Sequence, residues 1–285
     1  MKVSVLMPTY NHGNSIGRAI ESYLRQNCPF ETELLIGNDC SPDDTDEVVK
    51  KYINSKGNIR YFRANENQGL LKNYQFLIEN SSGEYLAILE SDDQWLYDDK
   101  LKEQVAFLDQ NLTHHLSCTA YQHNKKGEVQ SVSNQDHLFN RESREVYRYL
   151  LLRNVIKSPT VVFRKGAFDK YCDMNAYVEK KYVTFDYPVW CTLANYGHIH
   201  YMNKITALYA FEKNSLSNNQ SLDKKIEFEK GIEKIRKDLI SKFGTGGLAL
   251  HEIRFREAVV KSRYAIRDKK YLKALLMFLQ TYYER

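Results

Sequence analysis

Hydrophobic positions in the first third of the chain alternate between two spacings. Residues 3–7 and 33–37 are short apolar runs, which are typical of buried strands. Between and after them, apolar residues recur every three or four positions, which predicts amphipathic helices. The helical sets are Ile16, Ala19, Ile20, Tyr23 and Leu24, then Val48, Val49, Tyr52 and Ile53, then Leu70, Leu71, Tyr74, Leu77 and Ile78. Two more apolar runs, 59–62 and 85–89, complete four predicted strands.

Repeated strand–helix units of this length predict an α/β fold with a parallel sheet and right-handed crossovers. In such sheets, ligands bind beyond the carboxyl ends of the strands. The segments that follow the four predicted strands are 8–11, 38–40, 65–67 and 90–93. We therefore expect these four segments to converge on one site. Ser41 is expected to cap the second helix, because serine is a favoured N-cap residue.

The middle of the chain is less regular. Residues 160–164 and 204–211 read as strands. Residues 186–195 predict a short helix, because three bulky side chains fall on one face. No internal repeat or low-complexity segment is present. The middle therefore adds elements to the fold without a repeating unit.

From about residue 222 the pattern is helical throughout. Phe228, Ile232, Ile235 and Leu239 form one apolar face, and two further helices are predicted at about 249–267 and 270–283. The clearest break in this segment is the run Gly244-Thr245-Gly246-Gly247. For the late group Leu275, Leu276, Phe278, Leu279, Tyr282 and Tyr283, packing on a neighbouring helix is favoured over docking into a membrane interface.

Charge is distributed unevenly along the chain. The net charge is +5, but residues 220–285 hold 16 Lys or Arg against 9 Asp or Glu, while the rest is slightly acidic. The default explanation for such a basic tail is a helical surface exposed to solvent. The alternative is a surface that faces a negatively charged partner. A nucleic-acid partner is not expected. We expect a near-neutral catalytic part and a basic extension.

Composition excludes several other classes. No apolar run approaches the roughly 20 residues of a membrane span. The apolar run at the N-terminus is too short for a signal peptide, so a cytoplasmic location is expected. The five cysteines are odd in number and scattered without a CxxC pair. Neither a disulfide framework nor a zinc site is expected from them.

The strongest chemical feature is Glu90-Ser91-Asp92-Asp93, directly after a predicted strand. Carboxylates packed at a strand end repel one another, and a hard cation among them relieves this repulsion. Mg²⁺ or Mn²⁺ held in this way takes further ligands from waters and phosphate oxygens, which suits a diphosphate group. The alternative is an acidic turn that caps the next helix. Spacing alone does not separate the two.

Three other polar positions carry weaker signals. Asp39 follows the second strand, where it either accepts a hydrogen bond from a nucleotide or serves the turn before Ser41. Thr9, Tyr10 and Asn11 offer polar groups and one aromatic plane after the first strand. Asp186 is either the N-cap of a helix or a general base. Spacing alone does not decide between the two alternatives for Asp39 or between those for Asp186.

These motifs, in this order, resemble family 2 glycosyltransferases, which have the GT-A fold. The matching segments are Val5-Leu6-Met7-Pro8-Thr9-Tyr10-Asn11, residues 38–45, Asn65-Glu66-Asn67-Gln68-Gly69 with Lys72-Asn73, and residues 83–86 leading into 89–95. A sparser match covers residues 185–190, Gly197 and residues 214–217. The resemblance is dense over about residues 2–110. It implies a Rossmann-like, mostly parallel sheet flanked by helices, with a catalytic domain at 1–219 and a helical extension at 220–285.

The resemblance also implies roles for individual residues. Asp186 would be the base that deprotonates the acceptor, and Asp92 would bind a Mg²⁺ or Mn²⁺ ion. The nucleotide, expected to be UDP, would lie against Pro8, Thr9, Tyr10, Asn11, Asp39, Asn67 and Lys72. The donor or acceptor pocket would include Glu90, Ser91, Asp93 and Trp95. The reaction implied is transfer of a sugar, with inversion, from a nucleotide diphosphate sugar to a glycan or lipid-linked glycan, with the basic tail at the inner face of the plasma membrane.

Three positions depart from the family pattern. Glu90 stands where an Asp usually begins the acidic motif, and Phe185 stands where a carboxylate is common. Glu212 falls about where many relatives carry a His, so Glu90 and Glu212 are further candidate metal ligands. A nucleotidyltransferase is disfavoured, because the turn after the first strand lacks a glycine-rich basic loop. A non-catalytic subunit of a polysaccharide assembly machine stays open.

Overall fold

The computed structural model describes residues 1–53, 58–125, 128–133, 135–210 and 221–283. The strands are β1 (Val3–Thr9), β2 (Thr32–Asn38), β3 (Asn58–Arg63), β4 (Tyr85–Ile88), β5 (Gln94–Trp95), β6 (His114–Lys125), β7 (Glu128–Val132), β8 (Val162–Arg164) and β9 (His198–Tyr209). The helices are α1 (Gly13–Leu24), α2 (Thr45–Lys50), α3 (Leu70–Glu79), α4 (Lys100–Gln110), α5 (Asp136–Phe139), α6 (Ser143–Leu152), α7 (Lys165–Tyr171), α8 (Met174–Glu179), α9 (Asp186–Tyr196), α10 (Leu222–Phe243), α11 (Leu250–Arg267) and α12 (Tyr271–Tyr283).

The strands form one mixed sheet in the order β3-β2-β1-β4-β8-β6-β9-β5, with β7 paired to β6. The first four strands in this order are parallel, with Val5 of β1 opposite Leu34 of β2 and Ala87 of β4. Strand β8 then runs antiparallel to β4 and β6, and β9 runs parallel to β6. The predicted α/β class, with a parallel sheet flanked by helices, is confirmed.

Helices cover both faces of this sheet, which explains why β1 is buried along its whole length. All seven residues of β1 are buried, as expected for a parallel strand enclosed by two layers. Leu6 points into a core shared with α3, α6 and α9. Val5 and Met7 point into a second core shared with α1 and α4. Each fully buried aliphatic side chain contributes about 1.5–3 kcal/mol to folding.

The middle of the chain differs most from expectation. Strand β6 is long but was not predicted, and β9 begins at His198, six residues before the predicted strand. Residue 211, the predicted end, lies outside the described residues. The polar side chains that interrupt the apolar pattern pair across the strands instead. Ser117 Oγ lies 3.0 Å from His200 Nδ1, and Thr119 Oγ1 lies 2.7 Å from Thr206 Oγ1.

The helices of the tail follow the sequence pattern closely. Helices α11 and α12 begin and end within about one residue of the predicted bounds. Gly244 and Gly246 between α10 and α11 have positive φ angles of 78° and 64°, which explains the glycines at this break. Ile235 and Leu239 of α10 are buried in the core that α9 shares. Within the described ranges, none of the helices combines the length and apolarity that crossing a membrane requires.

Candidate active site

The carboxyl ends of β1, β2 and β4 meet at one edge of the sheet. The Asp39 N–H donates to the Thr9 carbonyl at 2.9 Å, and the Leu89 N–H donates to the Leu6 carbonyl at 3.1 Å. The Ser91 hydroxyl donates to the Pro8 carbonyl at 3.4 Å. The sheet therefore brings the segments after these three strands together. Thr9 Oγ1 is buried there with no hydrogen-bond partner among the described residues, which leaves it available to a ligand.

Two left-handed residues shape the turn after β1 and the turn after β2. Asn11 has a φ of 64° and Cys40 a φ of 60°. The Asn11 N–H donates to Ser41 Oγ at 2.9 Å, so Ser41 joins the two turns. The predicted cap is wrong: α2 begins at Thr45, and the Ser41 hydroxyl holds the neighbouring loop instead. The Tyr10 ring is 47% exposed beside this junction.

Asp39 holds the loop that follows β3, which continues the predicted segment 65–67. Its buried carboxylate accepts hydrogen bonds from the Gln68 N–H and the Gly69 N–H, both at 2.8 Å. Gly69 has a φ of 89°, a backbone conformation that favours glycine. Two backbone donors on one carboxylate orient it rigidly and hold the loop against the end of β2.

A cavity of about 220 Å³ lies beside this carboxylate. Lys72 lines it together with Asp39, as expected of two nucleotide-binding candidates. Residues 67 and 10 are exposed at the surface and do not line it. Sequence reasoning missed Arg63 and Phe76, which also line it. The cavity thus offers a carboxylate, two cations and an aromatic ring, a set suited to a base and its phosphates.

The acidic motif forms a compact cluster at the end of β4. Carboxylate oxygens of Glu90, Asp92 and Asp93 lie within 4.8 Å of one another. The Tyr74 hydroxyl donates to Glu90 Oε1 at 2.8 Å, and the Ala210 N–H donates to Asp93 Oδ1 at 2.7 Å. Asp93 Oδ2 is buried with no hydrogen-bond partner in the described parts of the chain.

Electrostatics make this cluster unfavourable as it stands. Burial raises the pKa of Glu90, and the charge of Asp92 raises it further. Burial likewise raises the pKa of Asp93 well above its usual range, with added repulsion from Asp92 and Glu90. A group of hard oxygen donors with one unpartnered buried oxygen fits a divalent cation such as Mg²⁺ or Mn²⁺. The residues present therefore fit the predicted ion.

Asp186 lies in the first turn of α9 and is held by three donors. The Asn154 side-chain amide donates to Oδ2 at 2.7 Å, and the Tyr187 N–H donates to Oδ1 at 2.7 Å. The Thr184 hydroxyl also donates to Oδ1. These contacts fix the orientation of the carboxylate, which a base requires. Each carboxylate oxygen has two lone pairs, so acceptor capacity remains.

Tyr74 connects Asp186 to the acidic cluster. Its ring stacks on Phe185 at 4.1 Å, and its hydroxyl bonds Glu90. Burial raises the pKa of Tyr74, and the charges of Glu90, Asp186 and Asp93 raise it further, so these carboxylates surround the phenol. Phe185, which departs from the family pattern, is a core residue with 1% exposure. The predicted base and the predicted metal site thus lie together.

Sequence reasoning missed a cation and a phenol at the same site. Lys157 Nζ lies 5.0 Å from the centre of the Tyr209 ring. Burial lowers the pKa of Lys157, while the charges of Asp186, Asp93 and Glu90 oppose this shift. Lys157 precedes a short 3₁₀ turn in the irregular middle, where no pattern marks it. Only the fold brings this ammonium group near the carboxylates.

One predicted residue of the pocket, Trp95, falls elsewhere. Trp95 is fully buried in the second core, where its indole N–H donates to the Pro159 carbonyl at 2.8 Å. It is a core residue, so the place in a sugar pocket that the family resemblance implied for it is wrong. Glu212 and the matched segment 214–217 lie outside the described residues. Ser91 is buried, and its hydroxyl lies 2.6 Å from His12 Nδ1, so it supports the loop after β1.

Solved structures show the same fold. Staphylococcus aureus TarS 1-349 in complex with UDP superposes with a TM-score of 0.63 at 20% identity, covering 99% of this chain and 81% of that one. The mannosyltransferase PcManGT from Pyrobaculum calidifontis, in complex with GDP-Man and Mn²⁺, gives 0.60 at 14% identity with the same coverage. With its open α/β sheet and the acidic cluster at the strand ends, this chain has the GT-A fold. The family model for glycosyl transferase family 2 matches residues 4–172, so the chain belongs to that family.

Curated relatives agree with this assignment. The putative teichuronic acid biosynthesis glycosyltransferase TuaG of Bacillus subtilis is 27% identical over 76% of this chain and 82% of its own length. The poly(ribitol-phosphate) beta-N-acetylglucosaminyltransferase TarS of Staphylococcus aureus is 30% identical over 62% of this chain and 33% of its own length. The uncharacterized glycosyltransferase MG025 of Mycoplasma genitalium is 42% identical over 33% of each chain. The match to this chain therefore spans about a third of two of these three relatives.

Proposed function

We propose that this chain transfers a sugar from a nucleotide diphosphate sugar, a UDP-sugar, to a hydroxyl of a glycan or lipid-linked glycan, with inversion. The observation that carries the proposal is one juxtaposition. A buried carboxylate beside a cavity, a carboxylate cluster suited to a cation, and an oriented third carboxylate all meet at the same edge of the sheet. Its setting would be bacterial surface-polysaccharide synthesis in the cytoplasm, at the inner face of the plasma membrane.

The nucleotide would bind at the carboxyl ends of β1 and β2. Asp39 would accept a hydrogen bond from the base, while the backbone donors of residues 68 and 69 keep its carboxylate oriented. Lys72 and Arg63 line the same cavity and would face the negative phosphates. The TarS complex with UDP supports the choice of uridine, and the PcManGT complex with GDP-Man makes guanosine the alternative to test.

Asp92, with Glu90 and Asp93, would hold a Mg²⁺ or Mn²⁺ ion. When bound, the ion supplies positive charge that neutralises the departing diphosphate. The chain itself supplies Lys157, whose ammonium group lies near these carboxylates and the Tyr209 ring. Together they offset a site that is otherwise strongly anionic. Glu212 is a further candidate ligand from the sequence alone.

Asp186 would act as the general base. As the acceptor oxygen attacks the anomeric carbon, Asp186 takes the hydroxyl proton, and the bond between that carbon and the diphosphate oxygen breaks. A single displacement of this kind inverts the anomeric configuration. Donors from residues 154, 184 and 187 hold the carboxylate in place for the transfer. General base catalysis contributes about 10²–10⁴-fold to the rate.

The names of relatives support the substrate class. TarS is named for adding N-acetylglucosamine to poly(ribitol-phosphate), and TuaG for teichuronic acid synthesis. Both names describe sugar transfer in making polymers that carry many negative charges. An anionic glycan acceptor is therefore proposed for this chain. UDP-GlcNAc, which is bound in another solved structure of TarS 1-349, is the first donor to test.

The test is nucleotide release by the purified chain. UDP-GlcNAc, UDP-glucose and GDP-mannose are each supplied with Mn²⁺ or EDTA, with and without poly(ribitol phosphate) or teichuronic acid fragments. We expect UDP release that requires acceptor and cation. Donor binding without any transfer would leave a non-catalytic subunit, and release of pyrophosphate from a nucleoside triphosphate would indicate a nucleotidyltransferase. Either outcome overturns the proposal.

A further inference from the structure

Helix α12 carries a row of leucines that faces solvent. Leu272, Leu275, Leu276 and Leu279 are 72%, 55%, 57% and 42% exposed. Their spacing of three or four residues puts them on one side of the helix. Tyr271 and Tyr283, 66% and 70% exposed, lie at its two ends. We call these six residues the α12 apolar face.

The opposite side of α12 is already packed. Ala274 and Thr281 are buried, and Phe278 and Tyr282 lie against Phe255 of α11 at 6.0 and 6.3 Å. The sequence favoured packing on a neighbouring helix for the whole late apolar group. The structure confirms this for Phe278 and Tyr282, but not for the leucines. The α12 apolar face is thus a second, outward hydrophobic surface that the described fold does not use.

The exposed charges near this face are mostly positive. Two ion pairs inside the tail, Glu257 with Arg236 and Glu233 with Lys261, both at 2.6 Å, are neutral and do not change this balance. The exposed cations of α11, α12 and the turn between them are Arg263, Arg267, Lys269, Lys270 and Lys273. Their anionic neighbours Asp268 and Asp223 make ion pairs of 3.7 and 3.5 Å with Lys270 and Lys273. A net positive rim therefore borders the leucines.

Leucines bordered by cations suit an anionic lipid surface. Over its described residues α12 does not have the length that crossing a bilayer requires, but such a helix can lie in the interface with its apolar side buried. A second copy of this chain would bring two positive rims together, and this repulsion disfavours self-association through the face. Tyrosines at both ends of the row match the preference of that ring for the membrane–water boundary.

We infer that the α12 apolar face binds flat in the interfacial layer of an anionic membrane, with Lys269, Lys270 and Lys273 on the lipid headgroups. The leucines enter the acyl boundary, and the positive rim selects membranes of negative charge. This inference deepens the membrane location in the proposed function and rests on that function only for its biological purpose. Its physical content is a lipid-binding surface, whether or not the chain transfers a sugar.

The first experiment is vesicle flotation of the full chain. Vesicles contain phosphatidylcholine alone or with phosphatidylglycerol, at low and high salt. The decisive variant is the triple change Leu275→Ser, Leu276→Ser, Leu279→Ser. The matched control is Leu112→Ser, because Leu112 is 77% exposed before β6, away from the tail. Circular dichroism and the melting temperature check that every variant is folded.

We expect the parent and the Leu112→Ser control to float with anionic vesicles at low salt. The triple variant should bind at least about tenfold more weakly, because three leucines no longer leave water. Lys269→Glu with Lys270→Glu should remove the preference for anionic lipid. Equal flotation of the triple variant, or a parent that stays in the soluble fraction, would overturn the inference. A parent dimer that the triple variant converts to monomer would assign the face to a second copy instead.

Transfer to a soluble acceptor is measured on the same proteins. We expect the triple variant to keep the parent rate, because none of its three residues is near the carboxylates at the strand ends. Flotation without transfer would refute the proposed function and leave the lipid surface standing. Transfer without flotation would refute the lipid-binding surface and leave the proposed function standing. The two failures are therefore distinguishable.

Discussion

Asp39 and the acidic cluster are two carboxylate sites at one edge of the sheet, and they are built differently. Asp39 receives two backbone N–H donors at 2.8 Å, so its charge is satisfied by the chain. Glu90, Asp92 and Asp93 face one another within 4.8 Å, and Asp93 Oδ2 has no partner among the described residues. The first site is complete for recognition. The carboxylates of the second repel one another, and added positive charge relieves that repulsion.

Replacing the proposed base is expected to have the largest effect. Asp186→Asn keeps the size and polarity of the side chain but cannot accept a proton. The transfer rate should fall at least about 10²-fold, while UDP binding by calorimetry stays near that of the parent. The control is Asp169→Asn, since Asp169 is a surface partner of Lys165 on α7. A normal transfer rate in Asp186→Asn would remove this residue from the mechanism.

Replacing Asp39 should weaken nucleotide binding, and we expect this effect to be smaller than the loss of rate in Asp186→Asn. Asp39→Ala removes a buried, charged hydrogen-bond acceptor, so UDP affinity should fall by roughly 1–3 kcal/mol. Asp39→Asn sharpens the test, because it keeps the shape but turns part of the acceptor into a donor. Titrations with UDP, GDP and CDP measure the effect. Equal affinity of the parent for all three nucleotides would contradict a base-selecting role.

The incomplete site predicts a pH dependence of stability. A carboxyl whose pKa is raised on folding binds its proton more tightly in the folded state, so its stabilisation is present at low pH and lost as pH rises through the raised pKa. In EDTA, the melting temperature should therefore fall between about pH 5 and pH 8. Mn²⁺ should flatten this fall, and Glu90→Gln should reduce it. Glu84→Gln, at an exposed glutamate before β4, is the control. A profile that Mn²⁺ leaves unchanged would argue against a cation at the cluster.

Removing the ammonium group of Lys157 beside the acidic cluster should have the smallest effect, a modest change in melting temperature. Lys157 lowers the pKa of both Glu90 and Asp93, so Lys157→Met should steepen the loss of stability with rising pH in EDTA. The expected cost at pH 8 is about 1 kcal/mol, or about 2–4 °C in melting temperature. Lys165→Met serves as the control for losing a surface lysine. A melting profile identical to that of the parent would mean that Lys157 does not compensate the cluster.

The parallel half of the fold could be predicted from the sequence because its strands are enclosed on both sides. Short apolar runs such as 3–7 are typical of such strands, and the polar residues that end them mark the site. Strand β6 was not predicted, although its apolar residues alternate with polar ones, a spacing typical of strands, and its polar residues pair with distant partners, as Ser117 does with His200. Such pairs form between strands far apart in the chain, so no local pattern records them.

The candidate site divides in the same way. Asp39, Glu90, Asp92 and Asp93 follow strands and could be predicted by position. Lys157 could not, because it lies in an irregular segment and meets the carboxylates only through the fold. Trp95 was placed in the pocket by the family resemblance, and the sequence alone does not show whether such an aromatic ring is buried. Its burial depends on α1, α4 and β9 together.

The ion pair between Arg236 and Glu257 joins two helices of the tail, α10 and α11, into one unit. Arg236 is buried, and its Nε–H donates to the Leu151 carbonyl at 2.7 Å, which also accepts from the Tyr187 hydroxyl at 3.0 Å. Tyr187 follows Asp186 directly. Cutting the chain after α10 would leave a buried guanidinium without its carboxylate, a loss of about 3–5 kcal/mol. An exchange between relatives that separates α10 from α11 would divide this charge pair, so these two helices are constrained to evolve together.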